Sequence, residues 1–242
     1  MAELGVEFCS DGVLEVVIDR PPDNLLTVEL CSELTELLTD PPAGAHILRL
    51  RTHGEVFCRG RERAGADPGD LVAETRTLVG LHQALKKSPL VTIAEVQGDA
   101  AGFGVGVLAA CDVAVAVADA RFYFPEVGIN LAPALVLAWL PRVIGERNAF
   151  WLTATGESIT AARALELGLI NEVAADPNEL TKAVGERVAA LRGRNPRIHA
   201  EIKDMLRAFR SLDEDQALEL SIDRLVVGAL RRSEAVAAHQ QS

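Results

Sequence analysis

Residues 91–112, VTIAEVQGDAAGFGVGVLAACD, carry glycines at positions 98, 102, 104 and 106, and no charged side chain lies between Asp99 and Asp112. Glycine at this density lets backbone approach backbone or ligand closely and leaves N–H groups uncovered by side chains. Such N–H groups can bind an oxyanion or a phosphate. The spacing is not that of the dinucleotide-binding fingerprint, and no Gly-Lys-Ser/Thr follows as in a P-loop. Close packing of a helix start on a strand is the alternative interpretation, and it stays open from this segment alone.

Two further segments could contribute chemistry to the same site. Residues 56–61, VFCRGR, place Gly60 directly before the backbone N–H of Arg61. Residues 122–127, FYFPEV, place Glu126 after Pro125 among apolar side chains. A carboxyl removed from water in this way has a raised pKa and can shuttle protons. The alternative is an ordinary helix start, with proline at the first helical position and an acid in the first turn.

The elements that must position these residues alternate between strands and helices in the first half of the chain, and the second half is helical. This pattern predicts an α/β fold with a helical C-terminal region. The predicted strands are residues 13–19, 46–52, 91–96 and 112–118, with a short one at 171–175; the predicted helices are 27–38, 71–87 and 161–168, followed by three longer ones.

Composition excludes several classes of function. The chain has 242 residues and a formal net charge of −11, which argues against binding nucleic acid or an anionic membrane. Its four cysteines are widely separated and lack zinc-site spacing, so we expect reduced thiols and no metal centre. The N-terminus has no apolar signal core, and no uncharged run is long enough for a membrane span. We therefore expect a cytoplasmic protein.

Taken together, the segments resemble the enoyl-CoA hydratase/isomerase (crotonase) family. The similarity runs in register over roughly residues 13–175. Its five pieces are the Arg-Pro-x-x-Asn turn ending at Asn24, the loop HGEVFCRGRE, the glycine segment above, ARFYFPEVGINLAP and ITAARALELGLINEV. The resemblance implies a crotonase-like spiral of ββα repeats over residues 1–190 and a helical trimerisation region over 191–242. It also implies a homotrimer or dimer of trimers, and a coenzyme A thioester as substrate with no permanently bound cofactor.

The resemblance also assigns roles to individual residues. Glu126 becomes the catalytic acid–base group, and the backbone N–H groups of Arg61 and Phe103 become the two donors of an oxyanion hole. Phe103 stands where the family usually has glycine, so its ring could narrow the acyl channel. Substrate contacts are assigned to Asn24, Leu25, Cys58, Arg59, Gly60, Glu62, Ala101, Gly102, Gly104, Pro125 and Ile129.

One departure from the family pattern decides the favoured reaction. Gly106 occupies the place where family hydratases carry a second glutamate. Hydration divides two tasks between two carboxylates, whereas moving a double bond from the β,γ to the α,β position needs one base. The favoured activity is therefore conversion of a 3-enoyl-CoA to a 2-enoyl-CoA by Glu126. The alternatives are a hydratase that pairs Glu126 with Glu62 or Asp99, and a catalytically silent acyl-CoA-binding protein.

Two further side-chain types could contact a ligand or serve the fold. Arg59 and Arg61 are candidates for pairing with CoA phosphates, or they are solvated loop arginines. Trp139 and Trp151 are expected to fill helix–helix core rather than to bind ligand.

Overall fold

The computed structural model of the chain describes residues 3–63, 65 and 67–239. Its architecture is mixed α/β, as the sequence pattern predicts. The strands in this portion of the chain are β1 (Leu4–Phe8), β2 (Val13–Ile18), β3 (Ile47–Thr52), β4 (Val56–Cys58), β5 (Val91–Val96), β6 (Asp99–Ala101), β7 (Val113–Val117), β8 (Arg121–Tyr123), β9 (Ile159–Thr160) and β10 (Glu172–Ala174).

Helices follow most of the strand pairs and make up the C-terminal third. They are α1 (Val28–Thr39), α2 (Pro68–Lys87), α3 (Phe103–Ala110), α4 (Ala134–Leu137), α5 (Pro141–Ile144), α6 (Glu146–Thr155), α7 (Ala161–Glu166), α8 (Pro177–Arg192), α9 (Pro196–Phe209) and α10 (Glu214–His239), together with a 3-10 helix at Pro125–Ile129. None of the helices in the described residues is long and apolar enough to cross a lipid bilayer.

The strands form two sheets, and the chain alternates between them. The larger sheet has the order β1-β2-β3-β5-β7-β10, and the smaller has the order β4-β6-β8-β9. Strands β3, β5 and β7 each enter the larger sheet and are followed at once by β4, β6 and β8 in the smaller one. Among the described strands, only β1 and β9 pair antiparallel with their neighbours. This alternation is the spiral of ββα repeats that the family resemblance implies.

Local sequence explains most element boundaries. The Thr27 side chain accepts a hydrogen bond from the N–H of Leu30 and caps α1, as its position predicts. Helix α2 begins at Pro68, earlier than the predicted residue 71, because Asp67 caps it and proline is favoured in the first turn. The three-residue strands β4, β6 and β8 were not predicted from the sequence, since a run this short has no detectable periodicity.

By contact density the chain divides into two compact units, Met1–His199 and Ala200–Ser242. The first unit contains both sheets and the apolar core. Its central strand β5 is buried along its whole length, including Thr92 and Glu95. Asp112 is structural, because its carboxylate accepts hydrogen bonds from the N–H and hydroxyl of Thr92. The second unit consists of most of α9, from Ala200 onward, and all of α10. The division predicted after residue 190, with a trimerisation region beyond it, stays a prediction.

Candidate active site

Gly104 brings two distant segments into contact. A Cβ atom at Gly104 would lie 2.1 Å from the carbonyl oxygen of Cys58, which no side chain tolerates. Glycine here therefore lets the first turn of α3 pack directly against the end of β4. Gly98 has a similar role at the start of β6, since its Cβ would lie 1.8 Å from the carbonyl oxygen of Glu55. Two of the four glycines in this segment are thus explained by close backbone packing.

The N-terminus of α3 presents an unused backbone donor. Gly102 adopts a φ of +50° before the helix begins, and its own N–H donates to the carbonyl of Tyr123 over 3.0 Å. Phe103 is the first helical residue, so its N–H has no acceptor within the helix. The positive end of the helix dipole lies at the same point and favours negative charge there.

A short bridge to Leu26 directs the Arg61 N–H. Leu26 donates its N–H to the carbonyl of Gly60 over 3.0 Å, and its own carbonyl accepts from the N–H of Glu62 over 2.9 Å. Both hydrogen bonds of this parallel bridge are therefore made by the neighbours of Arg61. The Arg61 N–H points to the opposite side, since successive N–H groups of an extended chain alternate in direction.

Glu126 lies in the 3-10 helix Pro125–Ile129, beside the start of α3. Its Oε1 atom would be 2.8 Å from a Cβ atom placed on Gly102, so the carboxylate occupies the space that this glycine leaves open. Its Oε2 atom is buried and has no hydrogen-bond partner among the described residues. Burial raises the pKa of Glu126, while a hydrogen bond from its own backbone N–H and the charge of Arg61 act in the opposite direction.

These groups line one cavity of about 470 Å³ in the first unit. A cavity of this size is typical of a small-molecule site. Of the predicted site residues, seven line it: Arg59, Gly60, Arg61, Phe103, Pro125, Glu126 and Ile129. The remaining wall is formed by Arg63, Thr75, Leu78, His82, Gly106, Leu131, Ala132, Pro133, Ala134, Leu135, Val136 and Trp139. Among the described residues, Glu126 is the only carboxylate on this wall.

Several predicted substrate contacts are buried residues that support the site from behind the cavity wall. Asn24 is 0% exposed, and its side-chain amide donates to the carbonyls of His53 and Val56, each over 2.7 Å. Cys58 and Ala101 are also buried, with the Cys58 thiol directed to the carbonyl of Gly60. None of these three lies on the cavity wall, and their assignment as substrate contacts stays a prediction.

Gly102 and Gly104 also lie off the cavity wall; they act through backbone geometry, as described above. Leu25 lies outside the cavity as well, and its carbonyl accepts a hydrogen bond from the Arg20 guanidinium over 2.6 Å.

The two proposed partner carboxylates, Glu62 and Asp99, are engaged elsewhere. Glu62 pairs with Arg20 at 2.7 Å and does not line the cavity; its assignment as a substrate contact stays a prediction. Asp99 accepts a hydrogen bond from the N–H of Arg121 over 3.0 Å and lies 3.8 Å from the Arg59 guanidinium. Neither carboxylate lines the cavity that contains Glu126.

The arginines predicted to meet CoA phosphates already have carboxylate partners. Arg59 pairs with Asp23 at 3.0 Å, and Arg61 forms an ion pair with the buried Glu74 of α2. Arg63 lines the cavity, is exposed, and has no ion-pair partner among the described residues. Arg63 is absent from the predicted site residues, although its spacing of two from Arg61 and four from Arg59 predicts one shared side of an extended segment.

Aromatic side chains occupy the space beside Gly106. A Cβ atom on Gly106 would lie 3.7 Å from Cζ2 of Trp139 and 3.8 Å from Cδ2 of Phe103, which are ordinary contact distances. Trp139 stacks on the His82 imidazole with ring centroids 5.9 Å apart and an interplanar angle of 26°. The Phe103 ring thus belongs to the cavity wall.

The expectation that both tryptophans fill core was only half correct. Trp139 is buried and also lines the cavity. Trp151 is 38% exposed on α6, next to the still more exposed Phe150. A tryptophan at helical spacing gives no signal that separates core from cavity wall, because both environments are apolar.

The alternation between two sheets, with a glycine-rich turn opening α3 beside a half-buried carboxylate, defines the crotonase class of folds. A model of the enoyl-CoA hydratase/isomerase family matches residues 9–232. The chain belongs to this family.

Individual relatives carry either of the two activities in their names. A putative enoyl-CoA hydratase of Thermus thermophilus is 33% identical, over 74% of this chain and 75% of its own length. The trans-2-decenoyl-[acyl-carrier-protein] isomerase of Streptococcus mutans is 27% identical, over 88% of this chain and 86% of its own. The solved structure of a family protein from Silicibacter pomeroyi is 28% identical with a TM-score of 0.86, over 94% and 98% of the two chains.

Proposed function

We propose that this protein is an enoyl-CoA isomerase that shifts the double bond of a 3-enoyl-CoA to give a 2-enoyl-CoA. The Glu126 carboxylate takes a proton from the α-carbon of the thioester. The electron pair of that C–H bond forms a double bond to the carbonyl carbon, and negative charge moves to the thioester oxygen. Glu126 then returns the proton to the γ-carbon, the double bond moves to the α,β position, and the carbonyl is restored.

Stabilisation of the dienolate oxygen falls to backbone donors in this proposal. The N–H groups of Arg61 and Phe103 donate to no backbone carbonyl among the described residues, and both residues line the cavity that holds Glu126. Each preorganised donor in a comparable site contributes about 10²–10³ in rate. A thioester α-proton is too weakly acidic for a carboxylate without such stabilisation, so the base and the donors depend on each other.

The apolar environment of Gly106 is the observation that favours an isomerase over a hydratase. Where family hydratases have a second glutamate, Trp139 and Phe103 lie against this glycine, and Glu126 is the only carboxylate on the described cavity wall. An apolar surface at this point supports a reaction that needs one base and no oriented water. Hydration by Glu126 with an unconventional partner, and binding without turnover, are the alternatives that the same experiment tests.

The remaining elements of the proposal come from the family resemblance. The substrate is an acyl-CoA thioester, so coenzyme A enters with the substrate rather than as a resident cofactor. We assign Arg63 to the CoA phosphates, because it is the exposed arginine on the wall without a described carboxylate partner. A homotrimer or dimer of trimers in the cytoplasm, with assembly through residues 191–242, completes the proposal.

The test is turnover of 3-hexenoyl-CoA by the full chain. The absorbance of the conjugated product measures the rate. We expect turnover by the wild type and a loss of about 10²–10⁴ in kcat for Glu126→Gln, the usual contribution of a positioned base. Glu62→Gln and Asp99→Asn are the matched controls and should retain activity within a few-fold.

Other outcomes separate the alternatives. Equal rates for wild type and Glu126→Gln would remove Glu126 from the mechanism. The hydratase would be favoured if the wild-type protein removes the absorbance of 2-hexenoyl-CoA in water and if Glu62→Gln or Asp99→Asn abolishes this activity. Tight binding of both thioesters without turnover would favour the silent binding protein.

A further inference from the structure

His82 is a polar side chain on an otherwise apolar region of the cavity wall. It lies on α2 and shares one face of that helix with Thr75 and Leu78, which also line the cavity. Its imidazole is half-buried, and neither ring nitrogen has a hydrogen bond to another described residue. Burial, and secondarily the charge of Lys86, lower the pKa of His82 to about 4. The ring is therefore neutral near pH 7 and offers one N–H donor and one acceptor nitrogen.

The stack on Trp139 fixes where this polar group stands. The indole lies against Gly106, which is three residues beyond Phe103 in α3. Three residues advance a helix by about 4.5 Å, and they stay on the same face. Trp139 thus contacts α3 about one helical turn beyond the Phe103 N–H that is proposed to hold the thioester oxygen, and His82 stacks on that indole. With the thioester placed at the Phe103 N–H, we assign this part of the wall to the acyl chain.

We propose that His82 is a specificity-determining residue that hydrogen-bonds to a hydroxyl or carbonyl oxygen on the acyl chain of the substrate. This inference rests on the proposal that the cavity binds an acyl-CoA thioester. The substrate class is then an oxygen-bearing enoyl thioester rather than a plain hydrocarbon one. A hydrocarbon chain would exclude water from the imidazole and leave both ring nitrogens unpaired, which weakens binding by about tenfold.

The chain offers an internal reporter for the test. It contains two tryptophans, and only Trp139 lines the cavity among the described residues. The variant Trp151→Phe therefore makes the fluorescence of Trp139 a direct measure of ligand binding in the full chain. The probes are hexanoyl-CoA and its 4-, 5- and 6-hydroxy derivatives, which are saturated and cannot be isomerised.

We expect at least one hydroxy derivative to bind the Trp151→Phe protein about tenfold more tightly than hexanoyl-CoA. Adding His82→Phe, which keeps an aromatic ring on Trp139, should abolish this preference while hexanoyl-CoA still binds. Adding Thr75→Val instead, which removes the other uncharged polar side chain of the wall, should leave the preference intact. Should His82→Phe fail to fold, His82→Leu is compared with His82→Gln, and only the glutamine variant should retain a preference.

Other results of the same binding experiment would contradict the proposed role of His82. The proposal is overturned if no hydroxy derivative binds more tightly than hexanoyl-CoA, or if the preference survives His82→Phe. A preference that disappears with Thr75→Val would assign the role to Thr75. Because the probes undergo no reaction, absence of 3-hexenoyl-CoA turnover would contradict the isomerase and leave a measured preference standing. Absence of binding by every CoA ester would contradict both proposals.

Discussion

At the scale of single residues, the partial burial that suits Glu126 to its proposed role in proton transfer also lowers the stability of the folded protein at neutral pH. Its carboxyl is partly removed from water, one oxygen has no described hydrogen-bond partner, and its pKa is raised by burial. A raised pKa means that the folded protein binds the proton more tightly than the unfolded chain does. The protein is therefore more stable when Glu126 is protonated, and this contribution is lost as pH rises through the pKa of the folded state.

Replacing Glu126 with glutamine should consequently stabilise the protein at neutral pH. Glutamine cannot ionise, so Glu126→Gln should unfold at a higher temperature than wild type at pH 8. The difference should vanish below about pH 4.5, where the glutamate is protonated in both states. Thermal unfolding followed by circular dichroism at the two pH values measures this. Glu33→Gln, an exposed position on α1, is the control and should give no pH-dependent difference.

Activity should have the opposite pH dependence. The base must be ionised to take the α-proton, so kcat/KM for 3-hexenoyl-CoA should fall as pH decreases through the raised pKa of Glu126. Two results would contradict a raised pKa and a catalytic role for Glu126. One is a value of kcat/KM that stays constant as pH is lowered, and the other is a Glu126→Gln protein that is no more stable than wild type at pH 8.

At the scale of elements, two glycines that lie two residues apart in α3 have different physical roles. Gly104 packs against the Cys58 carbonyl, where a Cβ atom cannot fit, whereas a Cβ on Gly106 would meet aromatic carbons only at ordinary contact distances. Gly104 therefore lets the start of α3, which carries the Phe103 N–H, pack closely on the segment that leads to Arg61. Gly106 leaves its position on the cavity wall free of any functional side chain.

Alanine substitutions at these two positions should have opposite effects. Gly104→Ala forces α3 away from the segment that contains Cys58 and should destabilise the protein by about 2 kcal/mol or more. It should also reduce activity about 100-fold, because the proposed N–H donors of Arg61 and Phe103 are displaced. Gly106→Ala should stabilise it by about 0.5–1 kcal/mol, since alanine is the better helix former. Urea unfolding and 3-hexenoyl-CoA turnover measure both effects. Equal destabilisation by the two substitutions would contradict the assignment of Gly104 as the contact point.

At the scale of the whole molecule, the second unit exposes apolar side chains that a lone chain leaves in water. On α10 these are Leu218, Ile222, Leu225, Val226, Val227 and Leu230, each between 41% and 71% exposed. An exposed apolar helix surface of this extent is typical of an interaction surface. It supports the expectation, drawn from the family resemblance, that residues 191–242 assemble the protein.

Sedimentation equilibrium should therefore give a mass three or six times that of the 25.9 kDa chain. Leu225→Asp, which places a charge on this surface, should shift the protein toward the monomer. Arg224→Glu, a larger change of charge at the neighbouring residue, is the control and should retain the assembly. A wild-type protein that sediments as a monomer at micromolar concentration would contradict the prediction.

The sequence by itself determined the longer strands and helices and the family, and it singled out the candidate residues for chemistry. Periodicity and caps are local, so residues such as Thr27 and Leu30 predict their element without knowledge of the rest of the chain. The sequence also predicts that Glu126 lacks a second glutamate at position 106, where Gly106 stands. This absence can be read from the sequence because the family motif holds both positions at fixed spacing.

Only the tertiary structure decided which residues meet in the cavity. The direction of the Arg61 N–H depends on a bridge to Leu26, and the need for glycine at 104 depends on the carbonyl of Cys58. The positions of His82 and Trp139 in the wall depend on the packing of separate helices around one space. Contacts between segments far apart in the chain leave no local pattern, and for that reason the buried position of Asn24 and the place of His82 on the cavity wall emerged only in three dimensions.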